Sequence, residues 1–196
     1  MEIITSLIEV EGCNINQRDC VDNIALGWAA RNGHERVVEI LLKQGNVNPD
    51  ERGESGRAPL WLAAWMGYGG VVKMLLELDE VNPEETDNGG ETPLYAAAWN
   101  GHQVVVKMLL ERGDVIPDNP DNNSRTPLWG AAWNVHERVV KMLLGRDEIN
   151  PDQPRKDGLT PLWAAAWNGH ERVVKMLLER DEVKPDNPDN EGQTPL

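Results

Sequence analysis

Apolar and polar positions recur along this chain with a fixed period. Leucines stand at 26, 60, 94, 128, 162 and 196, each 34 residues after the one before. The tripeptide Thr-Pro-Leu begins at Thr92, Thr126, Thr160 and Thr194, and Ala58-Pro59-Leu60 and Ile24-Ala25-Leu26 are degenerate versions of it. The stretches from Thr126 and from Thr160 agree at 24 of 34 positions. Such self-similarity marks a repeat architecture, not one central core.

Each period reads as two short helices and a loop, and the stretch from Thr160 shows why. Thr160 is a good N-cap and Pro161 suits the first helical position, where its missing N–H is not needed. Leu162, Ala165 and Ala166 at i, i+3 and i+4 predict a narrow apolar stripe whose alanines allow a neighbouring helix to approach closely. Gly169, ready to take positive φ, stops that helix. A second helix is expected over 171–179, with Val173, Val174, Leu177 and Leu178 facing inward. The following run, 180–190, holds two prolines and several Asp and Asn residues, so it reads as a turn-rich loop with little regular strand. Isolated helices shorter than about 12–15 residues are marginal in water. Each unit must therefore bury its apolar face against the next.

The period divides the chain into a partial unit over 1–23, five repeats over 24–57, 58–91, 92–125, 126–159 and 160–193, and the start of a truncated unit over 194–196. Met1–Val10 aligns with a second helix, and Ile3, Ile4, Leu7 and Ile8 fit an N-terminal edge. Neither end shows the polar outer face of a capping repeat. The expectation is an excerpt, or a truncated relative, of a longer array, whose open C-terminal edge offers a surface for self-association.

Length alone does not separate the repeat families, since tetratricopeptide units also have about 34 residues. The motifs do. TPLYAAAWNGHQVVVKMLL from Thr92 and TPLWAAAWNGHERVVKMLL from Thr160 resemble the ankyrin hallmark T-P-L-H-x-A, with Tyr or Trp in place of the His. The Gly-His turn and the Val-Val/Leu-Leu second helix are similar to ankyrin as well. The tetratricopeptide W-x₂-L-G-x₂-Y pattern is absent. The loop form NPDNPDN is similar to that of arrays common in large fungal multidomain proteins. The implied fold is mainly α: an ankyrin-repeat solenoid of stacked helix-turn-helix units joined by hairpin-like loops.

The resemblance also implies a role: a non-catalytic protein–protein interaction module that binds a protein or peptide on the concave face of the array. The residues it implicates lie at the end of each first helix: Arg31 and Asn32, Trp65 and Met66, Trp99 and Asn100, Trp133 and Asn134, and Trp167 and Asn168. Loop positions just ahead of each Thr-Pro-Leu join them, namely Glu91, Arg125 and Leu159. Those loops vary most from unit to unit, through Glu54, Ser55 and Arg57, Asn88, Asn122 and Asn123, and Lys156 and Asp157. Within-chain variation over a constant frame is what a recognition surface would show.

Composition sharpens this picture at one residue type. There are eight Trp and no Phe. Eight of the ten aromatic residues fall in two registers four apart: Trp61, Tyr95, Trp129 and Trp163, then Trp65, Trp99, Trp133 and Trp167. Residues at i and i+4 share a helix face, so the first register is expected to pack between units. For the second, two readings stand. It is either a partner-contacting ladder with a step of about 8–10 Å, the spacing of packed helices, or a self-packed strut that stiffens the array. A structural spacer or self-associating array within a larger signalling protein is the corresponding alternative for the whole chain.

Charge narrows the partners. With 33 Asp and Glu against 19 Lys and Arg, the net charge is −14. Phosphate neutralisation needs clustered basic residues, so neither nucleic acid nor an anionic membrane is the expected ligand. A basic or amphipathic protein or peptide suits the surface. The N-terminus lacks a basic n-region, no apolar run nears the roughly 20 residues of a bilayer span, and Cys13 and Cys20 are too few for a disulfide framework. An intracellular, cytoplasmic protein is expected.

Catalytic chemistry is hard to place. His34, His102, His136 and His170 recur once per period, with Tyr68 at the remaining position. That is how a repeat-building device looks, whereas an active site needs a unique constellation. They are read as starting second helices and making hydrogen bonds between units. The acidic runs at Asp118–Asn123 and Asp186–Asn190 lack the Gly and bidentate Glu of an EF-hand and read as Asx turns. Asn122-Asn123-Ser124 matches a glycosylation acceptor by chance. No catalytic residues, metal or cofactor are expected.

Some departures from the repeat carry a cost. Ala58 replaces the Thr cap, about 1 kcal/mol; Gly130 replaces Ala inside a first helix, about another 1 kcal/mol. Val135 stands where Gly33, Gly67, Gly101 and Gly169 make the turn, and there positive φ would be a strain for a β-branched residue.

Overall fold

A computed structural model describes residues 14–195. Ten α-helices follow one another in pairs: α1 Ala25–Arg31 and α2 Glu35–Leu42; α3 Pro59–Met66 and α4 Gly69–Leu76; α5 Pro93–Trp99 and α6 Gln103–Leu110; α7 Pro127–Trp133 and α8 Glu137–Leu144; α9 Pro161–Trp167 and α10 Glu171–Leu178. A 3₁₀ turn, Glu54–Gly56, precedes α3. Among the described residues there is no strand, and no helix is long and apolar enough to cross a membrane. The second-helix segment expected within Met1–Val10, Cys13 and Leu196 lie outside the described residues.

The helices start where the capping chemistry puts them. The Thr92, Thr126 and Thr160 hydroxyls accept the backbone N–H of Tyr95, Trp129 and Trp163 at 3.1, 3.2 and 3.2 Å. Ala58 and Ile24 occupy the same place and cap nothing. Proline sits in the first turn of α3, α5, α7 and α9. The glycine turn behaves as its sequence suggests, Gly33, Gly67, Gly101 and Gly169 having φ of 69°, 79°, 73° and 71°. Val135 follows them at 59°, left-handed backbone for a β-branched residue.

Packing runs in single file. Every helix pair in substantial contact belongs to the same unit or to consecutive units, and first helices pack on first helices more intimately than second on second. The first helices are not buried along a narrow stripe, as the Leu162, Ala165 and Ala166 spacing suggests. Pro93 through Ala98 in α5 and Pro127 through Ala132 in α7 are all buried. The reason is that each inner first helix is covered on two sides by its neighbours and on a third by its own second helix. Leu60, Leu94, Leu128 and Leu162 are wholly inaccessible, as are Val72, Val106 and Val140.

Polar ties join the units at matching places. Consecutive loops are stitched by backbone bonds: Asn88 N–H to Ser55 O, Asn122 to Gly89, Lys156 to Asn123 and Asn190 to Asp157, all at 2.9–3.0 Å. The Asn122 side-chain nitrogen donates to Asn88 O at 3.1 Å, so the acceptor nitrogen of the glycosylation pattern is occupied. Further out, carboxylates of one loop accept backbone N–H groups of the next, Asp50 from Asn82 (2.7 Å), Glu84 from Ile116 (3.2 Å) and Asp118 from Asn150 (3.1 Å). Burial pushes all three carboxyls above the ordinary carboxylate range, Asp118 to about 6.

Candidate functional site

The face built by first-helix ends and loop tips is where the chain's unusual residues converge. Three of the four histidine side chains have a partner in the preceding unit. His102, His136 and His170 occupy the N-cap positions of α6, α8 and α10. Through Nε2 they lie 2.9, 3.0 and 3.0 Å from the carbonyl oxygens of Trp65, Trp99 and Trp133 in the preceding unit. Burial pushes the His136 imidazole below its usual value, which fits a neutral ring whose Nε2–H donates to Trp99 O.

The aromatic residues form pairs, in contrast to the expected ladder of second-register indoles. Trp61 stacks on Trp65 (5.2 Å between ring centroids), Tyr95 on Trp99 (5.9 Å), Trp129 on Trp133 (5.3 Å) and Trp163 on Trp167 (4.9 Å), all within 25° of parallel. Helical i, i+4 spacing makes this the nearest ring available. Trp99 alone also reaches across a unit boundary, lying 6.5 Å from Trp129, so Tyr95, Trp99, Trp129 and Trp133 make one continuous stack. The first register is packed between units, with Trp61, Tyr95 and Trp129 at most 2% exposed. Their polar tips, Trp61 Nε1, Tyr95 Oη and Trp129 Nε1, are buried without a hydrogen-bond partner. Burial accordingly drives the Tyr95 hydroxyl pKa up. Of the second register, Trp65, Trp99 and Trp133 are half-buried, and Trp167 is 68% exposed.

Asparagines at the helix ends are helix closures. The side-chain nitrogens of Asn32, Asn100, Asn134 and Asn168 donate to the carbonyls of Trp28, Ala96, Gly130 and Ala164, four residues back, at 2.8–3.1 Å. Asn thus closes α1, α5, α7 and α9, and the residue after it, Gly33, Gly101, Val135 or Gly169, only turns the chain. Met66 is exposed at the end of α3. Arg31 lies over the Trp28 ring at 5.3 Å and 3.9 Å from Glu54.

The loop positions meet the aromatic pairs. Arg125 stacks over both Tyr95 (5.4 Å) and Trp99 (5.7 Å), and is held by Asp121 at 2.5 Å and Glu91 at 3.1 Å. Burial, then the neighbouring Asp87, push the Glu91 carboxyl up. Arg57 lies over Trp61 at 4.5 Å, with Asp87 3.6 Å away; Arg155 lies over Trp129 at 5.2 Å and pairs with Asp157 at 2.8 Å. Leu159, Trp163 and Trp167 share a cavity of about 360 Å³ with the loop around Asp189. The structure therefore brings Trp99, Glu91 and Arg125 together, and Leu159 with Trp167. Trp133 joins Trp99 through Trp129, whereas Trp65 stacks apart from them on Trp61.

The loop aspartates were a further component with a legible signal, an Asp five residues ahead of the Thr-Pro-Leu. Asp87, Asp121 and Asp189 each accept two backbone N–H groups, two and four residues on, through Oδ1 at 2.8–3.0 Å. This is the Asx turn expected of the acidic runs. Among the described residues no group of three or more His, Cys, Asp or Glu side chains is arranged to hold a metal ion.

A family model for ankyrin repeats (3 copies) matches residues 1–87 and 77–155, and one for a single ankyrin repeat matches 157–190. No curated protein matches the chain. Ankyrin repeats generally serve as protein–protein interaction modules and are typically not enzymes. Helix pairs in single file, the Thr-Pro-Leu caps and these matches over nearly the whole length lead to one conclusion: the chain belongs to the ankyrin-repeat family.

Proposed function

We propose that this chain is a non-catalytic cytoplasmic module whose repeats begin at residues 24, 58, 92, 126 and 160, and that it binds a protein or peptide across the concave side formed by first-helix ends and loop tips. The carrying observation is the run of half-buried indoles Trp65, Trp99 and Trp133, leading to the exposed Trp167 and flanked by loop charges that differ from unit to unit. First helices packed more closely than second helices favour curvature toward this side. Partly exposed Trp offers large area at low entropic cost, the usual make-up of a binding hot spot. The loop charges Glu91, Arg125, Lys156 and Asp157 would then supply specificity.

The ring stacks divide the work between binding and stiffening. Trp99 is bracketed by Tyr95 and Trp129 and acts chiefly as a strut, whereas Trp65 and Trp133 each stack on one first-register ring of their own unit and stay half-buried. Peptides selected from a random display library on the immobilised chain should lose at least about tenfold in affinity, some 1.4 kcal/mol, in a Trp65→Ala/Trp133→Ala variant that still melts cooperatively. Lys107→Glu, on the solvent side of α6, serves as control. Equal binding by the double variant and the wild type would leave the indoles as struts and end this reading.

A further inference from the structure

Three inner aromatic pairs carry a guanidinium, and each receives it from a different position relative to its rings. Arg57, the last residue of its unit, precedes α3 and covers Trp61 of the unit that follows. Arg125, also the last residue of its unit, reaches back over Tyr95 and Trp99 of that same unit. Arg155 comes from within the loop and covers Trp129. Each is also steered by a loop carboxylate, Asp87, Asp121 and Asp157 respectively. The shared arrangement is an aromatic pair, a guanidinium above it, and an acid beside the guanidinium.

The pair Trp163–Trp167 has everything but the cation. At the three positions that supply arginine elsewhere, this unit carries Leu159, Gln193 and Asp189. Among the described residues no arginine lies over either ring. Asp189 holds its loop through Oδ1 as Asp87 and Asp121 do. Yet Oδ2, which faces Arg57 in Asp87 and Arg125 in Asp121, has no such ion pair at Asp189. Among the described residues the space is open: about 360 Å³, lined by both indoles, Leu159, Asp157, Asp189 and Glu191.

We infer that this cavity is a receptor for an arginine side chain presented by a partner protein or peptide, the guanidinium stacking on the Trp163–Trp167 pair and pairing with Asp189. The inference rests on the binding reading above and names the chemistry of one contact in it. A planar guanidinium suits the place better than an ammonium, because it stacks on a ring and offers a fork of donors to a carboxylate at once. The chain's own arginines, in three sister positions, are the template.

The test titrates the whole chain with the blocked tripeptides acetyl-Gly-Arg-Gly-amide and acetyl-Gly-Lys-Gly-amide at about 0.15 M salt. The indole N–H resonances are read by NMR and assigned through single Trp→Phe variants. The arginine peptide should shift the Trp163 and Trp167 signals saturably and bind at least about threefold more tightly than the lysine peptide. Gln193→Arg, which places an arginine at the position of Arg125, should fill the site from within and remove the response. No saturable shift of these two signals, equal affinity for both peptides, or an unchanged response in Gln193→Arg would each overturn the proposal. Failure here with loss of peptide binding in Trp65→Ala/Trp133→Ala would remove the arginine assignment and leave the binding face standing.

Discussion

Val135 offers the sharpest test of how these units are joined. It occupies the turn between α7 and α8, where the four sister positions are glycine, and it holds φ of 59° against their 69°, 79°, 73° and 71°. Left-handed backbone costs a non-glycine residue about 1–2 kcal/mol, and a β-branched side chain belongs at the upper end. A second cost comes from the next unit. A Cβ built on Gly67 or Gly101 would lie 2.5 Å from the Nδ1 atom of His102 or His136. Val135 carries that Cβ, and His170 must keep its 3.0 Å contact with Trp133 O around it. Against these gains, glycine costs roughly 0.5–1 kcal/mol in chain entropy, and the side chain, 47% exposed, gives up modest burial. The balance predicts that Val135→Gly stabilises the protein by about 1 kcal/mol, a rise of roughly 2–4 °C in Tm for a chain of this size. Thermal melts of wild type, Val135→Gly and Val135→Ala should be compared, since Ala removes the branch but keeps the Cβ at positive φ. A glycine variant no more stable than the alanine variant would refute the argument.

Other consequences follow from the same interfaces. Ala58→Thr restores the hydroxyl that Thr92, Thr126 and Thr160 use as caps, and should add about 1 kcal/mol in urea titration; no change in midpoint would show that α3 is fixed by packing alone. Asp118 has its carboxyl raised by burial from 3.8 to about 6, so the folded chain holds a proton there that the unfolded chain releases. Its contribution to stability is therefore fully present below about 3.8 and is lost as pH rises through about 6. Asp118→Asn keeps an acceptor for Asn150 and removes the buried charge, so it should stabilise the protein at neutral pH and lose that advantage in acid. The same difference at both ends of the range would contradict the burial argument.

Much of the architecture was legible because it depends on chemistry local to one unit. The Thr-Pro pair names its own helix start, and the Gly-His turn names the break. The spacing of Val173, Val174, Leu177 and Leu178 placed the second helix within one residue of its observed end at Leu178. What one unit cannot reveal is the neighbour it meets. Leu162, Ala165 and Ala166 looked like one face of a helix, yet inner first helices are buried nearly all round, because contact comes from both adjacent units. Likewise the two tryptophan registers were visible, and both readings of the second were ladders from unit to unit; the stacking of each ring on its own unit's partner was not foreseen.

The stacked arginines make the same point with functional force. Arg57 and Arg125 share a repeat position but cover different pairs, the one ahead and the one behind, and Arg155 stands where other units have Asp87, Asp121 and Asp189. Compared column by column, these residues look like unrelated variation in a loop. In space they meet equivalent targets, because the loop folds back over the end of the first helix and several of its positions face the same indoles. Variation in sequence position at constant spatial role is what a stacked cation on a repeated aromatic pair permits: the ring face accepts a guanidinium from any direction that clears the loop, and a nearby loop carboxylate then steers it. The constraint on this surface therefore lies in charge and ring, not in register. A partner's arginine, arriving over Trp163 and Trp167, would meet the same permissive geometry that the chain's own three have already found.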